Sequence, residues 1–232
     1  MQILFEDRDI IVIQKPAGIA TQTAKLGEKD LVSELKNHFF EQAKEAGEPY
    51  VGVVHRLDQP VEGILVFGKH AKATKELSRQ VEHAIAKKEY YAVVTGHVEE
   101  GVHTLIDYLK KDGRSNTSSV VKPTEKDAKR AELSFQLWDN KIKETVKLQD
   151  VFPFKEELHL IKINLLTGRH HQIRVQLANA GIPILGDQKY GHKTEGYKGG
   201  LNLCAFHLNF QHPGTKKEMD FRITPKNLQI LL

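Results

Sequence analysis

The stretch "VVHRLDQPVEGILVFGKH", residues 53–70, decides how the chain is read. His55, Arg56 and Asp58 stand together, a proline follows, and after Gly63 the chain runs Ile64, Leu65, Val66, Phe67 without a polar break. An apolar run that lacks alternation is the pattern of a strand buried on both faces. The preceding "VGVV" reads as a strand ending at His55. Asp58 therefore falls in the connection between two strands, where rigid flanks hold a loop and functional groups concentrate. On spacing alone it is either a turn or cap residue or a catalytic carboxylate.

Outward from that stretch, strands and helices interleave irregularly. Residues 2–6 and 9–14 read as two short strands, the second running into the turn signal "KPAG". Val32, Leu35, Phe39 and Ala43 lie at helical spacing within 30–46, and Ala73, Leu77, Val81 and Ala84 mark a second amphipathic helix. "KEYYAVVTG" and 158–166 read as strands, and 131–138 with 145–152 as a hairpin around "DNK". Residues 110–130, rich in Lys, Ser, Thr and Gly, read as an exposed loop or loosely paired hairpin, a solvated connection rather than a dedicated RNA-contacting arm. The expected fold is α+β, a mixed and largely antiparallel sheet flanked by helices.

Composition narrows the function. A chain of 232 residues buries a substantial core, and 40% hydrophobic with 28% charged residues excludes wholesale disorder. The single cysteine, Cys204, makes neither an internal disulfide nor a thiolate metal site, which points to a reducing compartment. Charges interrupt the first apolar runs, so no signal peptide is expected, and no stretch has the length of a membrane span. The chain is read as soluble and cytoplasmic. Net charge is +4, a mild pull toward polyanions. Only eight of the 34 basic residues are arginines, yet Arg56, Arg169 and Arg174 fall inside two short segments. Their planar forks suit carboxylate and phosphate.

The second of those segments is "LLTGRHHQIRVQLANAGIPILGDQKYG", residues 165–191. It reads as a strand, a turn at Thr167 and Gly168, and a helix over 170–180. On that helix His171, Arg174 and Ala178 share one side, with Ile173, Leu177 and Ala180 on the apolar side. Arg174 thus projects from a rigid element. Arg169, His170 and His171 are either surface polar groups or a place for a bound phosphate.

Together, "HRLDQPVEGILVFGK", "KKEYYAVVTG" and the "TGRHHQIRVQLANAGIPILGDQKYG" segment resemble, in order and spacing, three signatures of the RluA-type pseudouridine synthases. The likeness runs through almost the whole chain and implies one catalytic domain over 1–232, with no room for the S4-type RNA-binding domain of many relatives. It implies an enzyme that isomerises uridine in RNA to its C-glycoside, with Asp58 as the catalytic carboxylate. It further implies that Arg174 pairs with that carboxylate and that Tyr90 of "KEYYA" packs on the flipped base. Arg56 is implied to fill the gap left by the extruded base. His55 is read as orienting the loop. Arg169 and His171, and more weakly Lys69 and Lys88, are read as RNA contacts. Neither metal nor organic cofactor is expected. The partner is ribosomal RNA in preference to transfer RNA, and the chain is expected to act as a monomer.

Glu62 departs from the small residue usual in the family and is read as facing solvent or a lysine. Two other functions compete. Asp58 and Glu62 can be the paired carboxylates of a glycosidase, or the chain can be an RNA-binding module with a dead site.

Overall fold

The computed structural model describes residues 1–23, 27–42, 47–138, 157–191 and 197–226. In chain order the described elements are β1 (Gln2–Glu6), β2 (Ile10–Lys15), α1 (Leu31–Gln42), β3 (Gly52–Val53), β4 (Glu62–Gly68), α2 (Ala71–Glu82) and β5 (Lys87–Thr95). They continue with β6 (Val102–Asp112), β7 (Thr117–Val121), β8 (Lys129–Leu137), β9 (Leu158–Leu165), α3 (Gln172–Asn179), β10 (Leu203–Gln211) and β11 (Glu218–Arg222). The chain divides into two compact units, residues 1–87 with 205–224, and residues 88–204 with those from 225 onward.

In the first unit β2 and β4 lie antiparallel, from Ile10 opposite Gly68 to Lys15 opposite Gly63. Every residue of both strands is buried, as an unalternating apolar run requires. Ile10, Val12, Ile64 and Val66 pack with Ala73 and Leu77 of α2 and with Leu208 and Phe210. Burying each large aliphatic or aromatic side chain contributes about 1.5–3 kcal/mol, so this layer anchors whatever loops it carries. Gly63, second in β4, takes φ +152°, and a Cβ there would stand 2.4 Å from the Ala205 Cβ. Only glycine admits that approach. The α2 helix is capped by His70, whose Nδ1 accepts the Ala73 N–H, and stops before Ala84, which takes a left-handed φ of 54°.

In the second unit the strand order is β5-β9-β8-β6-β7, each neighbour antiparallel. The α3 helix is tied to this sheet by Gln176, whose Nε2 donates to Asp107 Oδ2 at 2.8 Å. The architecture is the expected α+β one, largely antiparallel and flanked by helices.

The reading of the α3 segment changes. The α3 helix starts at Gln172 rather than 170, because His171 sits at a left-handed φ of 53° and cannot continue a helix backwards. It is buried from Gln172 through Leu177 instead of amphipathic. Of the two readings of 110–130, the hairpin holds for the first part, where β6 and β7 pair from Tyr108 opposite Val121 to Asp112 opposite Thr117. Of the hairpin expected around "DNK", the first arm is β8, which pairs with β6 and β9, and 145–152 lies outside the described residues. Val32, Leu35 and Phe39 are buried as their spacing in α1 predicts, while Ala43 lies outside the described residues.

Candidate active site

The loop between β3 and β4 carries "HRLD", and its backbone is pinned at three places. Leu57 is buried, and the Thr21 hydroxyl clasps it by accepting the Leu57 N–H at 3.2 Å and donating to the Leu57 carbonyl at 3.0 Å. Gln59, next to Asp58, gives its carbonyl to the Gly18 N–H at 2.8 Å and to the Lys15 ammonium at 3.1 Å. His55 Nε2 accepts the Val66 N–H at 3.3 Å, which ties the loop's entry to β4. Asp58 is half-buried, and its carbonyl closes a turn with the Val61 N–H. Arg56 is exposed at the rim of the same loop. Leu57 turns inward as an anchor between exposed Arg56 and half-buried Asp58.

Lys15 was legible in the sequence only as part of a turn. Its side chain has 0% exposure, and Nζ donates to the carbonyls of Pro16, Ile19 and Gln59 at 3.0, 2.7 and 3.1 Å. Burial pushes its ammonium down to about 8, against the opposing pull of the negative charges on Asp58 and Glu62. Glu62 does not face solvent. It is 3% exposed and accepts the Gln14 Nε2 donor at 2.6 Å. β4 is buried on both faces, so no position on it points to water. Its burial and its bond to Gln14 weigh against Glu62 as the second carboxylate of a glycosidase.

In the second unit Arg174 is buried on α3 and held by Asp187 in a two-pronged pair, Nε to Oδ2 at 2.8 Å and Nη2 to Oδ1 at 2.7 Å. Asp187 also accepts the Lys189 and Tyr190 N–H groups. Burial would raise its pKa, but Arg174 and those two amides together hold it below the usual aspartate range. The Tyr190 ring lies 5.2 Å from the guanidinium. Its hydroxyl accepts the Ser118 N–H at 2.8 Å and bonds His171 Nδ1 at 2.7 Å, while the His170 ring stacks on His171 at 3.7 Å. Gly186 makes this turn possible, at φ +79° with only 2.2 Å between a would-be Cβ and the Gly200 carbonyl oxygen.

The remaining predicted residues are spread over both units. Tyr90 is 5% exposed on β5. Arg169 is exposed in the turn before α3, its Nε on the Arg130 carbonyl at 2.9 Å. Lys69 is engaged by Glu6 at 2.7 Å and lies over the Phe39 ring. Lys88, on β5, is 4% exposed. Asp187, Tyr190, Gln172 and Gln176 were not singled out from sequence. For the two glutamines the one signal was the polar spacing inside the helix, Gln172, Arg174, Gln176, which no single solvent face accommodates.

One cluster among the described residues has metal-ligand chemistry, Asp7, Asp9 and His212. His212 Nδ1 accepts the Gly214 and Thr215 N–H groups, so the ring proton resides on Nε2 and is donated to Asp7 Oδ2 at 2.9 Å. His70 is arranged likewise, with Nδ1 on the Ala73 N–H and Nε2 toward Asp9. An Nε2 that bears a proton offers no lone pair, and the cluster is a hydrogen-bonded clasp.

Comparison with known proteins gives the family. Residues 9–179 match the family model described as RNA pseudouridylate synthase. An uncharacterized RNA pseudouridine synthase of Aquifex aeolicus (strain VF5) is 32% identical over 96% of this chain and 69% of its own length. The ribosomal large subunit pseudouridine synthase C of Haemophilus influenzae is 31% identical over 95% of this chain and 64% of its own. The dual-specificity RNA pseudouridine synthase RluA of Vibrio vulnificus is 29% identical over 91% of this chain and 78% of its own. Among solved structures, human RNA pseudouridylate synthase domain containing 4 shares the fold, with TM-score 0.74 at 19% identity, covering 99% of this chain and 92% of that one. The chain belongs to the RNA pseudouridylate synthase family, RluA type, and is an enzyme of RNA modification. Among the described residues no helix is long and apolar enough to cross a membrane.

Proposed function

We propose that Asp58 is the carboxylate that detaches and rejoins the uracil of a uridine in structured RNA, and that residues 1–232 act as one catalytic domain. The observation that carries this is the anchoring of its loop. Leu57 on one side and Gln59 on the other are fixed to Thr21, Gly18 and Lys15, so a half-buried Asp58 is held on a rigid turn. A carboxylate so positioned can attack C1′ or add to the uracil ring. Tyr90 against the base and Arg174 as the guanidinium of the site follow the family resemblance, and need neither metal nor organic cofactor. Arg56, exposed beside Asp58, is the residue proposed to occupy the space of the extruded base. Arg169 and Lys88 are proposed to meet the RNA backbone. Lys69 and His171, whose polar atoms are engaged within the protein, come after them in that role.

Ribosomal RNA is favoured as the substrate over transfer RNA because relatives named for the ribosomal large subunit match along the chain. A monomeric, cytoplasmic enzyme is the working form proposed. Asp58→Asn is nearly isosteric and tests the assignment. With total RNA from cells lacking the gene, carrying uridine tritiated at C5, the wild type should release tritium and Asp58→Asn should release none while still binding RNA. Turnover by the variant sinks the assignment. Binding without turnover by the wild type points instead to an inactive RNA-binding module.

A further inference from the structure

Among the described residues, Lys88 is the one buried lysine left unanswered. It is 4% exposed, and among the described residues no hydrogen bond or ion pair reaches its Nζ. Burial alone pushes its ammonium down to about 8. The carboxylate next to it in sequence is committed elsewhere: Glu89 alternates to the other face of β5 and pairs with Lys162 at 2.7 Å. A desolvated ammonium without a partner costs the fold free energy and persists where a ligand completes it.

Its surroundings specify the ligand. Two residues on, and on the same face of β5, is Tyr90. The Nζ lies 3.7 Å from where a Cβ would stand at Gly168, so the absence of a side chain there leaves the space beside the ammonium open. Gly168 belongs to the turn that carries exposed Arg169, a second cation with one N–H on the Arg130 carbonyl. Two cations at a turn without a side-chain roof suit a doubly bonded oxyanion better than a neutral carbonyl.

We propose that Lys88 and the Gly168–Arg169 turn form the seat for one backbone phosphate of the RNA strand, which sets the target nucleotide against Tyr90. This rests on the reading of the chain as an RNA pseudouridine synthase.

The test is equilibrium binding of a short oligouridylate and of versions in which single linkages are replaced by an uncharged methylphosphonate. At low salt one neutral linkage should weaken wild-type binding about tenfold, and the same linkage should cost Lys88→Met nothing further. Lys88→Met should also flatten the dependence of log affinity on log salt by about 0.7. Gly168→Val, which keeps the charge but covers the ammonium, should weaken binding in the same way, and Lys88→Arg should recover part of it. The result is overturned if every neutral linkage costs wild type and Lys88→Met alike, if the salt slope is unchanged, or if the wild type fails to bind the oligouridylate at low salt. Tritium release by the wild type, followed in parallel, separates this from the family-level activity. No turnover with intact linkage-specific coupling defeats the reading of activity alone, and turnover without coupling defeats the phosphate seat alone.

Discussion

Lys15 and Lys88 are both buried, each with its ammonium pushed down to about 8, yet the protein treats them in opposite ways. Lys15 donates to three carbonyls and faces the charges of Asp58 and Glu62, so its cost is offset inside the fold. Lys88 has no such answer among the described residues. The difference separates a lysine that builds a loop from one that is held ready for something outside the chain, although their burial alone looks alike.

The sharpest way to break the comparison is to remove each charge by substitution to Met. Lys15→Met strands three carbonyls and leaves Asp58 and Glu62 without the cation between them, and losses of about 3–5 kcal/mol are typical when one partner of a buried arrangement is deleted. Lys88→Met removes an uncompensated charge and is expected to be neutral or to stabilise by about 1 kcal/mol. Urea unfolding of the two variants measures both. Equal destabilisation would falsify the distinction.

A similar loss is expected at Arg174, for a related reason. Arg174→Ala leaves Asp187 buried without its counter-charge, so a drop of about 3 kcal/mol should accompany any loss of turnover. Arg174→Lys keeps a charge but not the fork and should recover little. Arg169→Ala, in an exposed turn, should leave stability within about 0.5 kcal/mol and act on RNA affinity instead. Thermal melts beside single-turnover rates at saturating RNA decide it. Intact stability in Arg174→Ala would show that Asp187 does not depend on it.

Much of this was visible in the sequence, and the failures share one cause. The unbroken run Ile64–Phe67 announced β4, and Ala73 with Leu77 announced the buried side of α2, because those signals are local. The two loops were legible through motif resemblance. What stayed hidden depends on partners distant along the chain. Lys15 in "KPAG" is an ordinary turn lysine until Gln59 arrives 44 residues later. Of the two readings of Glu62, water fails and a lysine holds: it is buried, bonded to Gln14 of another strand and acts on the charge of Lys15. The start of α3 was misplaced because a non-glycine residue, His171, takes a left-handed conformation that Tyr190 helps to hold.

The pH dependence of stability follows from the two lysines together. In the unfolded chain each keeps its proton up to the ordinary 10.5, whereas in the folded protein each loses it near 8. Between those values the unfolded state binds more protons, so stability should rise as pH increases from about 8 to about 10.5. Lys88→Met should remove part of that rise. A midpoint of urea unfolding that falls across this window, once corrected for changes in m-value, contradicts the assignment of both groups.

The smallest effects compare two hydroxyls that do the same work in the two units. Thr21 accepts one backbone N–H and donates to one carbonyl at Leu57, and Tyr190 accepts the Ser118 N–H while bonding His171. Thr21→Val replaces its hydroxyl by a methyl and Tyr190→Phe deletes its own, each at an expected cost of about 1–2 kcal/mol. Their functional consequences should differ. Thr21 holds the residue beside Asp58, so Thr21→Val should lower the single-turnover rate with RNA affinity nearly unchanged. Tyr190 holds the turn beside Arg169 and the hairpin of β6 and β7, so Tyr190→Phe should weaken RNA binding more than it slows the bound reaction. If Thr21→Val alters affinity and leaves the rate of the bound complex intact, the loop's anchoring serves RNA docking, and rigidity around Asp58 is not what the clasp provides.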